Sequence, residues 1–122
     1  MNKKTKLAIG SLILLAAPLA FACDYPNRPA IPDGNMATKD EMIAAKGSVN
    51  TYIAGVDEYL TCIEADWTAA KEELENSESE DEKRGDKLID KKFDAANDEK
   101  ALVGEEFNQQ VRAYNNARKA AQ

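Results

Sequence analysis

Histidine is missing from all 122 residues. Its absence removes the commonest general base, the commonest zinc ligand and every serine or cysteine triad built on an imidazole. Cysteine is nearly missing too, with only Cys23 and Cys62 present. No proline follows Pro32, so nothing from there to Gln122 forbids long helices. After residue 22 no apolar run approaches the length that spans a bilayer. A calcium loop of the Asp-x-Asp-x-Asp-Gly type is also lacking. These absences lead to the expectation of a protein that is not an enzyme and holds no cofactor.

What is present begins with residues 1–22. Lys3, Lys4 and Lys6 make a positive start, and no charge follows from Leu7 to Ala22. The apolar stretch from Leu7 to Ala17 is broken by Pro18 and followed by Ala20-Phe21-Ala22. A basic end, a short apolar core and an Ala-x-Ala site describe a secretory signal peptide. The run is too short for a membrane span. Cleavage after Ala22 makes Cys23 the first mature residue, where bacterial lipoproteins carry their lipidated cysteine. Lipoprotein signals resemble Leu-Ala-Gly-Cys or Leu-Ser-Ala-Cys. Here Leu19 lies one place early and Phe21 is bulky where a small residue belongs, so ordinary cleavage fits better. The expected location is outside the cytoplasm, in the periplasm of a Gram-negative envelope, with lipid anchoring through Cys23 as the alternative.

Without residues 1–22 the chain keeps 13 basic and 22 acidic residues, a net charge of −9. Such a surface repels the phosphates of nucleic acid and of anionic membranes, so neither is expected as a partner unless Cys23 carries lipid. A protein partner or a second copy of the chain stays open. An even cysteine count in an exported chain reads first as one disulfide. Unrelated thiols or a bridge between chains are the alternatives.

Composition divides the mature part. Residues 23–36 hold Pro26, Pro29 and Pro32 at every third position, followed by Asp33-Gly34. This suits an extended polyproline-type arm ending in a turn. From Thr38 the texture changes, and Thr38-Lys39-Asp40-Glu41 fits a capping box. Val49, Ile53, Val56, Leu60, Ile63, Trp67, Ala70 and Leu74 then follow at steps of three and four, an amphipathic helical stripe. Residues 71–86 are almost devoid of apolar side chains, and Ser77 or Ser79 is available as a helix N-cap. Periodicity resumes at Ile89, Phe93, Ala96, Val103, Phe107, Val111, Tyr114 and Ala117, with Lys100 interrupting it. The fold expected is all-α: a long antiparallel helical hairpin resembling a coiled coil, with helices over about 38–75 and 83–120 and a polar turn over about 76–82. One continuous helix is the alternative, but it leaves both stripes wet.

The first helix carries a second column. Tyr52, Gly55, Tyr59 and Cys62 recur at steps of three, four and three. The arm is the obvious cover for it. From Thr38 to Cys62 the helix extends about 36 Å at about 1.5 Å per residue. The arm from Cys23 to Thr38 can reach about 50 Å. It can therefore run back and set Cys23 against Cys62, with Gly55 permitting close approach and Tyr25, the prolines and Ile31 packing on Tyr52 and Tyr59. A bridge closing that loop stabilises by on the order of 3–4 kcal/mol.

The string Cys23-x-Tyr-Pro-x-x-Pro-x-Ile-Pro-Asp-Gly, then Ala37-Thr38-x-x-Glu41-Met42, Val49-x-x-Tyr52 and Tyr59-Leu60-x-Cys62, resembles a group of small, uncharacterised exported proteins of proteobacteria. The resemblance covers about residues 23–67. It implies an arm-and-helix unit in the cell envelope and no particular chemistry.

Two further constellations bear on possible chemistry. Glu82, Asp86, Asp90, Asp94 and Asp98 form an acidic column, but Lys83, Lys87 and Lys91 precede three of its members by three residues. That spacing makes a surface charge ladder. Met36 and Met42 with Cys62 offer soft-metal ligands, yet two methionines near an arm junction are ordinary packing residues. The function expected is therefore binding or scaffolding in the envelope, with a lipid-anchored form second and a small metal carrier third.

Overall fold

The computed structural model describes residues 23–74 and 79–122. The segment read as a signal peptide and part of the polar turn lie outside the described residues. The rest forms two long helices packed on one another, α1 (Lys39–Glu72) and α2 (Glu80–Ala120), with no strand among the described residues. The hairpin is antiparallel: Trp67 of α1 meets Asp86 near the turn, while Arg118 of α2 reaches Ala37 at the other end. No helix among the described residues is long and apolar enough to cross a membrane.

Each helix starts where its sequence supplies a cap. At α1 the Glu41 N–H donates to Thr38 Oγ1 at 3.2 Å, and the Thr38 N–H donates to Glu41 Oε2 at 2.7 Å. The two bonds satisfy backbone donors that the helix cannot pair internally. The Thr38 hydroxyl also donates to Glu41 Oε2 at 2.9 Å, and this bond together with that from the Thr38 N–H holds the Glu41 carboxyl below its ordinary pKa, since both favour the ionised form. Ser79 caps α2 by accepting from the Glu82 N–H at 3.2 Å. Glu80, Asp81 and Glu82 then oppose the positive end of the helix dipole, and Arg118 and Lys119 sit at its negative end. With Ser79 as the cap, α2 begins at Glu80 rather than near residue 83, and α1 ends at Glu72.

The seam holds Val49, Tyr52, Val56, Leu60 and Ile63 of α1 against Ala96 and Val103 of α2. Val56 and Val103 are fully enclosed. Ile53, Ile89, Phe93 and Phe107 pack around this core half-buried, and Val111 and Tyr114 continue the line towards the C-terminus. Lys100 interrupts the stripe harmlessly: its ammonium reaches Asp57 of α1 at 2.5 Å while its stem lies along the seam. Ala70 and Leu74 are exposed, so the stripe leaves the seam after Trp67.

Near the turn, Trp67 donates its indole N–H to Asp86 Oδ1 at 2.7 Å, and Lys71 Nζ lies 3.3 Å from the same oxygen. These donors hold the Asp86 carboxyl below its ordinary pKa, the indole contributing most. Among the described residues the expected charge ladder does not form: Asp86 turns to α1, Lys83 pairs with Glu80, and Lys87 and Lys91 make no ion pair with Asp90 and Asp94. Gly85 is what lets the ring lie there. A Cβ at position 85 would fall 2.0 Å from Trp67 Cη2.

Replacing Gly85 with Ala therefore displaces the only tryptophan of the chain. Alanine favours an isolated helix by about 1 kcal/mol, whereas overpacking costs about 1–3 kcal/mol. The expected net result is a lower thermal midpoint with red-shifted tryptophan emission. An unshifted emission spectrum would show that the ring does not occupy this place.

Candidate functional site

The arm over 23–37 lies along the hairpin and touches both helices. At its start, Cys23 and Cys62 lie at disulfide-bonding distance, with Cα atoms 5.7 Å apart and a sequence separation of 39. Cys62 is displayed on the α1 face that the arm covers. One helical turn further on, Asp66 brings Oδ2 to 3.1 Å from Cys23 Sγ. That carboxylate was not anticipated from the sequence. Its signal was available, since positions 62 and 66 share a helix face.

Three tyrosines follow. The Tyr25 ring stands edge-on to Tyr59 with centroids 5.0 Å apart, and edge-on to Tyr52 at 6.4 Å. Such geometry aligns ring edges with ring faces and adds to the gain from burial. The Tyr25 and Tyr52 hydroxyls lie 3.0 Å apart and share one hydrogen bond. Tyr52 is buried, whereas Tyr25 keeps 42% of its surface exposed. Burial pushes the Tyr52 phenol well above its ordinary pKa, and the bond to Tyr25 adds to the shift. Pro26 rests against Gly55, where a Cβ would come within 3.1 Å of the proline ring. Ile31 is half-buried against the core.

The arm is held as firmly by α2, which its proline spacing does not disclose. Arg28 spreads its guanidinium between Glu99 and Glu106 of α2, at 2.5 Å each. The pairing raises the arginine pKa further, chiefly through the hydrogen bond to Glu106. Beyond Pro32 the chain turns: the N–H groups of Met36 and Ala37 donate to the Asp33 carbonyl, and the Asn35 N–H donates to Asp33 Oδ1 at 2.9 Å. Gly34 sits in this turn, buried, with its N–H donating to Gln110 Oε1 at 2.9 Å. A Cβ there would fall 2.0 Å from the Gln110 carbonyl oxygen, so only glycine lets arm and helix backbones approach this closely. Arg118 closes the far end by donating to the Ala37 carbonyl.

The methionines do not join the cysteines. Met36 is 85% exposed at the turn and Met42 is buried in the first turns of α1. Twenty residues, about 30 Å of helix at about 1.5 Å each, separate Met42 from Cys62. Asp90, Asp94 and Asp98 are exposed on α2. No family model matches the chain, and neither a curated protein nor a solved structure shows significant similarity to it.

Removing the covalent tie tests the arm. Cys62→Ser is expected to cost about 4 kcal/mol of stability, the chain-entropy value for a loop of this size. It should open residues 23–37 to a broad-specificity protease while the helical circular dichroism persists at low temperature. Equal protease protection in both proteins would mean that noncovalent contacts alone hold the arm. Alkaline titration tests the tyrosines. Because folding raises the Tyr52 pKa, its contribution is complete below the ordinary phenol value of about 10 and is lost as pH rises beyond it. A plot of stability against pH should therefore fall more steeply above that value in the parent protein than in Tyr52→Phe.

Proposed function

We propose that the chain is exported from the bacterial cytoplasm and acts in the envelope as a non-enzymatic binding or scaffolding protein. The observation that carries this reading is the meeting of Cys23 with Cys62 at disulfide distance. Disulfides persist in secreted and periplasmic proteins and are rare where glutathione and thioredoxin keep thiols reduced. Residues 1–22 add a basic start, a short apolar run and Ala-x-Ala immediately before Cys23. Opportunities for contact lie on the surface. Ile43, Leu88 and Leu102 each keep more than half of their area exposed, on helices whose remaining surface is mostly charged or polar. They supply apolar handles for a partner protein or a second copy of the chain.

Lipid anchoring at Cys23 is the competing reading. A lipoprotein thioether uses the same sulfur atom that the disulfide uses, so one Cys23 cannot carry both. The proximity of Cys62 therefore weighs against the lipidated form.

The deciding experiment is the intact mass of the protein recovered from the envelope fraction, with and without reduction and alkylation. The expected mass is that of residues 23–122, gaining two alkyl groups only after reduction. Acyl chains on the first residue would replace the disulfide-bonded soluble protein with an anchored one. A mass including residues 1–22 would overturn export by cleavage.

A further inference from the structure

The covalent tie between arm and helix has a second chemical use when it is open. The Sγ atoms of Cys23 and Cys62 and a carboxylate oxygen of Asp66 all lie within 4.8 Å of one another. Two sulfurs and one oxygen converging on a point form a donor set suited to a thiophilic divalent ion of the zinc type. We propose that the reduced protein binds one such ion through Cys23, Cys62 and Asp66, so that the disulfide and the metal are alternative fastenings for the same arm.

Position favours this. Cys62 and Asp66 are four residues apart on α1, so both side chains project from one face at neighbouring turns. This is the spacing by which two ligands on a helix commonly grip one zinc ion. The arm supplies the third ligand from the opposite side. Thiolates on a tetrahedral zinc ion stand about 3.7 Å apart, from bond lengths of about 2.3 Å. A Cα separation of 5.7 Å accommodates that pair as well as a disulfide. Any adjustment falls on Cys23, since Cys62 and Asp66 are both fixed on α1. The fourth position is open to water or to the α-amino group that cleavage after Ala22 would leave on Cys23.

Electrostatics gives the ion a reason to enter. In the oxidised protein the two sulfurs carry no charge, and the Asp66 carboxylate lies beside them. Once the bridge is opened, two ionisable thiols face that carboxylate, and their deprotonation builds up to three negative charges in one place. Lys92 is the only cationic residue lining the adjoining depression of about 380 Å³. Cleavage after Ala22 would add the Cys23 α-ammonium, and even these two cations leave part of that charge unbalanced. Ile63, Trp67 and Ile89 form the apolar wall of the same depression, which lowers the local dielectric and strengthens attraction to a cation.

The exchange balances. A dithiol reductant passes two electrons to the Cys23–Cys62 bond and closes to its own disulfide, while each cysteine sulfur takes up a proton. The metal ion then displaces both protons to solvent, which makes its affinity rise with pH through the thiol range. In the absence of metal, exchange with a disulfide reverses the transfer: the Cys23–Cys62 bond re-forms while that disulfide takes up the two electrons and both protons and becomes a dithiol.

This inference goes beyond the envelope role and is tested on the purified protein wherever it resides. Reduced and oxidised protein are titrated anaerobically with Zn2+ against a chromophoric chelator, and Cd2+ is added in parallel to read thiolate charge-transfer absorption. The reduced protein is expected to take up one ion with that absorption, and the oxidised protein none. Asp66→Asn, an exposed change that leaves the disulfide able to form, should weaken binding more than about tenfold. Cys62→Ser should abolish the two-thiolate spectrum. Equal affinity in Asp66→Asn, or uptake by the reduced protein no stronger than by Cys62→Ser, would overturn the site.

Discussion

A hairpin of two helices has one seam, and a single seam encloses little. Among the described residues, Val56 and Val103 are the large side chains fully out of solvent, while Phe93, Phe107 and Ile89 remain half-buried. The rest of the structure depends on a third layer, the extended arm, being kept in place over this seam. Its tie to Cys62 removes much of the conformational freedom that an unpinned arm would have to lose on docking. With its start fixed, weaker contacts that would not order a free segment become effective: the edge-on tyrosines, the proline on Gly55 and the arginine fork on α2.

The arm is thus a clamp rather than a cover for one helix. Tyr25, Pro26 and Cys23 engage α1, whereas Arg28 and the Gly34 turn engage α2. Exposed ion pairs usually contribute little to stability. The pairs from Arg28 matter through direction, because they draw the arm towards the second helix. Charge serves the same registering purpose elsewhere. Lys100 meets Asp57 across the middle of the seam, and Trp67 with Lys71 meets Asp86 near the turn. Sliding one helix by a turn would separate every one of these partners.

Much of this architecture is legible from the residues because it follows short-range rules. The capping box at Thr38, the stripe from Val49 to Trp67 and the proline spacing all report local backbone preferences, and local preferences survive into the fold. The column of Tyr52, Gly55, Tyr59 and Cys62 is visible because helical period alone places those residues together. Other features depend on which elements become neighbours, and no period encodes that. Arg28 between two prolines gives no hint of Glu99 and Glu106. Gly85 reads as a weak point in a helix until Trp67 is laid over it, and Asp66 reads as one surface acid among many until the arm arrives. Lys100 looks like a defect in the second stripe because a one-dimensional pattern cannot show the carboxylate on the other helix.

The closure at Cys23 and Cys62 also divides the molecule topologically. It makes a covalent ring from the arm and the first two-thirds of α1, a bowstring drawn along a helical stave. Helix α2 lies outside that ring and touches it only through packing, hydrogen bonds and ion pairs. The boundary between covalently closed and noncovalently packed structure therefore runs lengthwise along the seam rather than across the turn. Lifting α2 away would leave the ring closed, with its chain ends still registered for α2's return.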